Sequence, residues 1–128
     1  MKTIKQIYTI NASPEKVWNA LVDPKTINEW GGGPANMDEK LGTKFTLWRG
    51  DIHGKNIEVV QNKKIVQEWF GGDWEKPSKV TFTLTKKGET TELSLLHEDI
   101  PDNSAKDIDD GWKTYYLGPL KALLEHYE

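Results

Sequence analysis

Residues Thr3 to Ile10 alternate loosely, with Ile4, Tyr8 and Ile10 on one side and Ile7 out of step. That pattern predicts a first strand, ended by Asn11. A helical signal follows at Ser13-Pro14-Glu15, which sets a capping hydroxyl before a proline whose missing N–H is harmless at the first helical position. Val17, Trp18, Leu21 and Val22 then share one face. Asp23-Pro24 repeats the device and predicts a second short helix carrying Ile27 and Trp30, stopped by Gly31-Gly32-Gly33-Pro34.

From Gly42 to Glu98 the period becomes strand-like, and turn residues recur at short intervals, as in consecutive antiparallel hairpins. Phe45 and Leu47 alternate with Thr46 and Trp48, and Ile57 and Val59 with Glu58 and Val60. Ile65, Gln67 and Trp69 follow, then Val80, Phe82 and Leu84, then Leu93, Leu95 and His97. Threonines at 81, 83 and 85 keep strand propensity on a wet face, so the sheet is apolar on one side and needs a cover. The end of the chain supplies it: Ile108, Trp112, Tyr115, Tyr116, Leu120, Leu123, Leu124 and Tyr127 fall at helical spacing after a capping-box-like Ser104 and Asp107. Gly118-Pro119 should kink this helix without ending it, since the apolar period resumes beyond. The expected fold is α+β: a curved antiparallel sheet wrapped around a long C-terminal helix, with two short helices after the first strand. Space is expected between sheet and helix near the open end.

Composition narrows the functional classes. A chain of 128 residues fits one domain spanning 1–128. With 17 bases against 20 acids the formal charge is -3, which argues against a nucleic-acid binder. The absence of cysteine excludes disulfides, thiol chemistry and Cys-ligated metals. No window resembles a secretory signal or a membrane span, so a cytoplasmic monomer or small homo-oligomer is expected. Six tryptophans against three phenylalanines place much of the apolar surface on rings that carry one polar hydrogen.

The histidines at 53, 97 and 126 lack metal-ligand spacing, and no nucleophile elbow occurs, so neither metal nor cofactor nor a catalytic residue is expected. His97 reads either as a buried histidine satisfied by Trp112 or a tyrosine, or as a polar anchor for a ligand. Gly31-Gly32-Gly33-Pro34 lacks phosphate-loop spacing and suits a flexible cavity lip. The inward set Trp30, Phe45, Leu47, Trp69, Phe82, Leu95, Trp112 and Tyr116, with Gln67 and His97 in phase, is the candidate binding site. A close-packed core would explain most of the same residues.

Ser13-Pro14-Glu15-Lys16-Val17-Trp18, Gly42-x-x-Phe45, Gly50-x-x-x-Gly54, Ile65-Val66-Gln67-Glu68-Trp69 with Trp74 beyond, Glu89-Thr90, Ile100-Pro101 and Gly111-Trp112 occur in a distinctive order along nearly the whole chain. In this the sequence resembles the activator of heat-shock-protein-90 ATPase homologues, within the START-like, helix-grip (SRPBCC) superfamily. The resemblance implies a helix-grip fold that holds an apolar ligand or a protein partner, with no common catalytic apparatus. Phe70 stands where the chaperone activators tend to carry a basic residue, Thr43 replaces a glycine, and 128 residues leave no room for the extra N-terminal domain of two-domain members. The first expectation is therefore a non-enzymatic domain for a small apolar, lipid-like or aromatic ligand. The second is a co-chaperone-like module that stimulates a heat-shock-protein-90 type chaperone, and the third an aromatase- or cyclase-like enzyme drawing on His97 and Glu68.

Overall fold

The computed structural model describes residues 1–72 and 74–126. Tyr127, assigned above to the apolar face of the last helix, lies outside the described residues. Strand β1 (Lys2–Ile10) is followed by helices α1 (Pro14–Val22) and α2 (Pro24–Trp30). Both helices begin as the sequence predicts, with Ser13 accepting from the Lys16 N–H and Asp23 from the Thr26 N–H, each before a proline. Gly31 ends α2 in the left-handed conformation at φ 106°.

Five strands then follow: β2 (Lys44–Leu47), β3 (Ile52–Val60), β4 (Lys64–Gly71), β5 (Ser78–Lys87) and β6 (Thr90–Ile100). They form one antiparallel sheet in the order β1-β6-β5-β4-β3-β2, so the first strand closes onto the last. The inward rows Val80, Phe82, Leu84 and Leu93, Leu95, His97 are buried and paired in register, with Phe82 opposite Leu95. β1 buries Ile4, Gln6 and Ile10 and leaves Ile7 exposed. A bulge between Asn56 and Glu58 breaks the alternation in β3. It turns Asn56 inward and leaves Ile57, expected inside, on the surface.

The chain ends in a continuous helical rod: α3 (Ala105–Gly111), a π-helical turn (Trp112–Tyr116) and α4 (Leu117–His126). It lies against the apolar face of the sheet, with Trp112 and Tyr116 beside Phe82 and with α4 touching β1 and α2. Ser104 does not cap the rod with its side chain, because a short turn over Asp102–Ser104 already leads the backbone in with helical dihedrals. Pro119 does not end the helix. Ahead of it the ladder widens, and the Leu117 N–H reaches the Trp112 carbonyl, five residues back. That widened turn brings the Lys113 carbonyl to 2.0 Å from where a Cβ on Gly118 would sit. Gly118→Ala should therefore destabilise the protein by about 3 kcal/mol, since backbone rather than a movable side chain must yield; a urea titration with an unchanged midpoint would contradict this placement of the turn.

Candidate functional site

The interior between sheet and rod is built from aromatic rings in mutual contact. Trp69 on β4 and Trp112 on the rod stack at 4.8 Å and 27°. Tyr116 sits one turn on, with ring centroids 4.7 Å from Trp112 and 4.5 Å from Trp30. Each of the two stacked indoles sends its N–H into a buried polar chain. The Trp69 Nε1–H donates to Gln67 Oε1 at 2.8 Å, the Gln67 amide to Asn56 Oδ1 at 3.0 Å, and the Asn56 amide to the carbonyls of Asp38 and Lys40. The bulge that turned Asn56 inward thus ties the 38–40 loop to the core.

The Trp112 Nε1–H donates to His97 Nδ1 at 3.0 Å. A neutral imidazole then carries its proton on Nε2, which lies 2.7 Å from Ser78 Oγ, and the serine hydroxyl donates to the Trp69 carbonyl at 3.0 Å. Every bond in this relay runs in one direction, and both His97 nitrogens are used. Burial pushes the imidazole from its ordinary 6.5 down to about 4.

A cavity of about 640 Å³ opens at one end of the grip. Trp48, Asp51 and Ile52 wall it from the β2–β3 connection, and Trp69, Gly71, Gly72 and Trp74 from the end of β4. The rod contributes Asp107, Ile108, Gly111, Trp112, Tyr115 and Tyr116, with His97 at the back. Of the residues expected from the sequence, Trp69, His97, Trp112 and Tyr116 line this space. Trp30, Phe45, Leu47, Gln67, Phe82 and Leu95 do not; they are buried in the packed core deeper in the grip, where neighbouring rings and aliphatic chains fill the volume. The triple-glycine segment is no cavity lip either. A Cβ on Gly33 would meet Asn28 Oδ1 at 1.8 Å and one on Gly32 the Trp30 ring at 2.6 Å, so close packing requires these glycines. Glu68 alternates away from Gln67 and Trp69 and does not reach the cavity.

Alternation with Phe45 and Leu47 would turn Trp48 outward. Its φ of 48° and that of Arg49, 59°, are left-handed, a conformation costing non-glycine residues about 1 to 2 kcal/mol each. The Trp48 and Arg49 N–H groups hold this turn by donating to the carbonyls of Gly32 and Pro34. The ring is thereby folded back beside Tyr116, at 6.0 Å. Trp74 covers Gly71, its indole 3.5 Å from the position of a Cβ there. The Gly71-Gly72 pair before it was the available signal.

The sequence profile described as "Activator of Hsp90 ATPase homolog 1-like protein" matches residues 11–125. The chain belongs to this family. The human activator of 90 kDa heat shock protein ATPase homolog 1 is 30% identical over 122 residues, covering 93% of this chain and 35% of the human protein. The chain spans about a third of the length of the curated relatives it matches. Among solved structures, an HSP90 activator from Plasmodium falciparum superposes with a TM-score of 0.90 at 28% identity, covering 98% of this chain and 97% of that one. A Mesorhizobium loti protein does so with a TM-score of 0.83 at 25% identity, covering 99% of both chains. The helix-grip architecture is common to these two structures and to this chain. Among the described residues no cluster of His, Asp or Glu is arranged to hold a metal ion. No described helix is long and apolar enough to cross a membrane.

Two polar groups at the site lead to measurable expectations for this activator-homologue domain. Because the folded pKa of His97 lies below its unfolded value, its neutral form stabilises the fold fully above pH 6.5, and that contribution is lost as pH falls from 6.5 through about 4. The loss amounts to about 3 kcal/mol, at roughly 1.4 kcal/mol per unit. In urea titrations from pH 7 to pH 4, His97→Gln should show a correspondingly shallower decline than wild type; parallel curves would contradict the buried neutral imidazole. The Tyr116 hydroxyl is buried with no hydrogen-bond partner among the described residues. Tyr116→Phe should therefore raise the melting temperature or leave it unchanged, because it removes an unsatisfied group and keeps the ring; a fall of several degrees would mean that the hydroxyl is bonded.

Proposed function

We propose that this domain binds a small, flat apolar molecule in the cleft between the end of the sheet and the rod. The observation that carries the reading is the aromatic cavity of about 640 Å³, a size that suits a small organic ligand. Its walls come from four separate chain segments, and a left-handed turn sets Trp48 among them. Binding is favoured over catalysis: His97 has both nitrogens engaged, and Glu68 faces elsewhere. Titration with the neutral fluorophore N-phenyl-1-naphthylamine should raise its emission and shift the indole N–H resonances of Trp69 and Trp112. Flat titrations across a panel of neutral lipids and aromatics would overturn the reading.

A second reading has its own support. The Plasmodium falciparum structure matched along 97% of its length is described as an HSP90 activator, so a chain of this size carries that description. On this reading the domain docks on a heat-shock-protein-90 type chaperone and raises its ATPase rate. An unchanged rate with the purified chaperone, together with no co-sedimentation, would reject it.

A further inference from the structure

Glycine is costly inside helices and strands, because its backbone loses more freedom on folding than that of any other residue, so each one there needs a physical reason. Of the eleven glycines, five stand at positive φ, where other residues are disfavoured. Four more, at 32, 33, 54 and 118, are required by packing, since a Cβ on any of them would come closer than 3.0 Å to a neighbouring atom. Two are left: Gly71 at the end of β4 and Gly111 on the rod. A Cβ on Gly71 would make only ordinary contacts, 3.5 Å to Ile52 and to Trp74, and one on Gly111 would meet nothing within 4 Å. Gly111 has helical angles, φ -62° and ψ -39°, which any residue adopts. Both line the cavity, one on the sheet wall and one on the rod wall.

A second observation falls on the same row of the rod. Tyr115, four residues beyond Gly111, borders the cavity, and its ring is 66% exposed and outside the core cluster. The fold gains little from it. Below, the floor is fixed: Trp69 and Trp112 are stacked on each other, and Phe82 and Leu95 behind them are solidly buried. A molecule in the cleft therefore cannot go deeper, and its bulk must be accommodated by the walls, which are bare at 71 and 111.

Resting on the ligand-binding reading above, we infer that Gly71 and Gly111 are specificity-determining positions of the cleft. The bound molecule fills the volume that side chains there would take. It lies directly against the main chain of both walls, with the Tyr115 ring over its outer edge. The two glycines set the size of apolar body that the cleft admits, and the conformational cost of each is offset only when that body is present.

Gly111→Ala in the full chain separates this role from a structural one, because stability and binding should move in opposite directions. Removing a helical glycine that packing does not need should raise the melting temperature by about 4 °C. Affinity for N-phenyl-1-naphthylamine should fall about tenfold in Gly111→Ala and about a hundredfold in Gly111→Leu, as the added side chain overpacks the slot. Gly71→Ala should weaken the same probe about tenfold from the opposite wall, and Tyr115→Ala about fivefold with no change in melting temperature. Thr114→Leu, exposed on the rod and outside the cavity lining, should leave the affinity unchanged. A lowered melting temperature in Gly111→Ala, wild-type affinity in Gly111→Leu, or an equal loss in Thr114→Leu would overturn the role of the glycines and leave the cleft reading standing. A folded wild-type chain that does not bind the probe would remove both.

Discussion

The rod is fastened to the sheet at the stacked pair of Trp69 and Trp112. Large rings supply the burial that holds a helix on a sheet, but each indole also brings a hydrogen that must be satisfied away from water. Here both are satisfied by side chains that themselves need partners, so burying two rings requires Gln67, Asn56, His97 and Ser78 as well. The relay from Trp112 through His97 and Ser78 returns to the carbonyl of Trp69, closing a circuit around the stack. Rod, β4, β5 and β6 are therefore held in mutual register by polar geometry as well as by apolar contact, which would tolerate some sliding.

Much of this was legible along the chain. Strict alternation marked the inward rows of β5 and β6, and two serine- or aspartate-plus-proline starts marked the short helices, because both signals are local. His97 next to Trp112 was one of two open readings, and the structure places the pair in hydrogen-bond contact. What failed was non-local or depended on single backbone angles. The β3 bulge reversed the facing of Asn56 and Ile57, and the left-handed turn at Trp48 folded outward-reading aromatic surface into the cavity. Periodicity assigns a side chain to a face but says nothing of its depth along the grip. Ten inward-reading residues therefore look alike along the chain, although six belong to solid packing and four to the wall of the cleft.

Family membership and the cleft bear on different parts of the molecule. The family profile begins just after β1 and extends over both short helices, strands β2 to β6 and the rod. The cleft has Trp69 of β4 and His97 of β6 at its inner side, but most of its rim arises where those elements run out, from the β2–β3 connection, the segment after β4 and the first turns of the rod. Connections are where a shared scaffold acquires individual chemistry. A helix-grip chain can thus keep its architecture while changing what its mouth accepts, and overall resemblance leaves that choice open.

The widened turn before Pro119 has a geometric consequence for everything downstream. Ile108, Trp112, Tyr116, Leu120 and Leu124 recur every fourth residue, whereas an α-helix turns once every 3.6, so in a uniform helix this row would wind steadily around the cylinder. A segment with more residues per revolution unwinds part of that drift and returns Leu120 and Leu124 to the side on which Trp112 packs. The π-helical turn is in effect a phase correction: excising one residue there would rotate the C-terminal half by about 100° about its own axis and carry its leucines off the sheet.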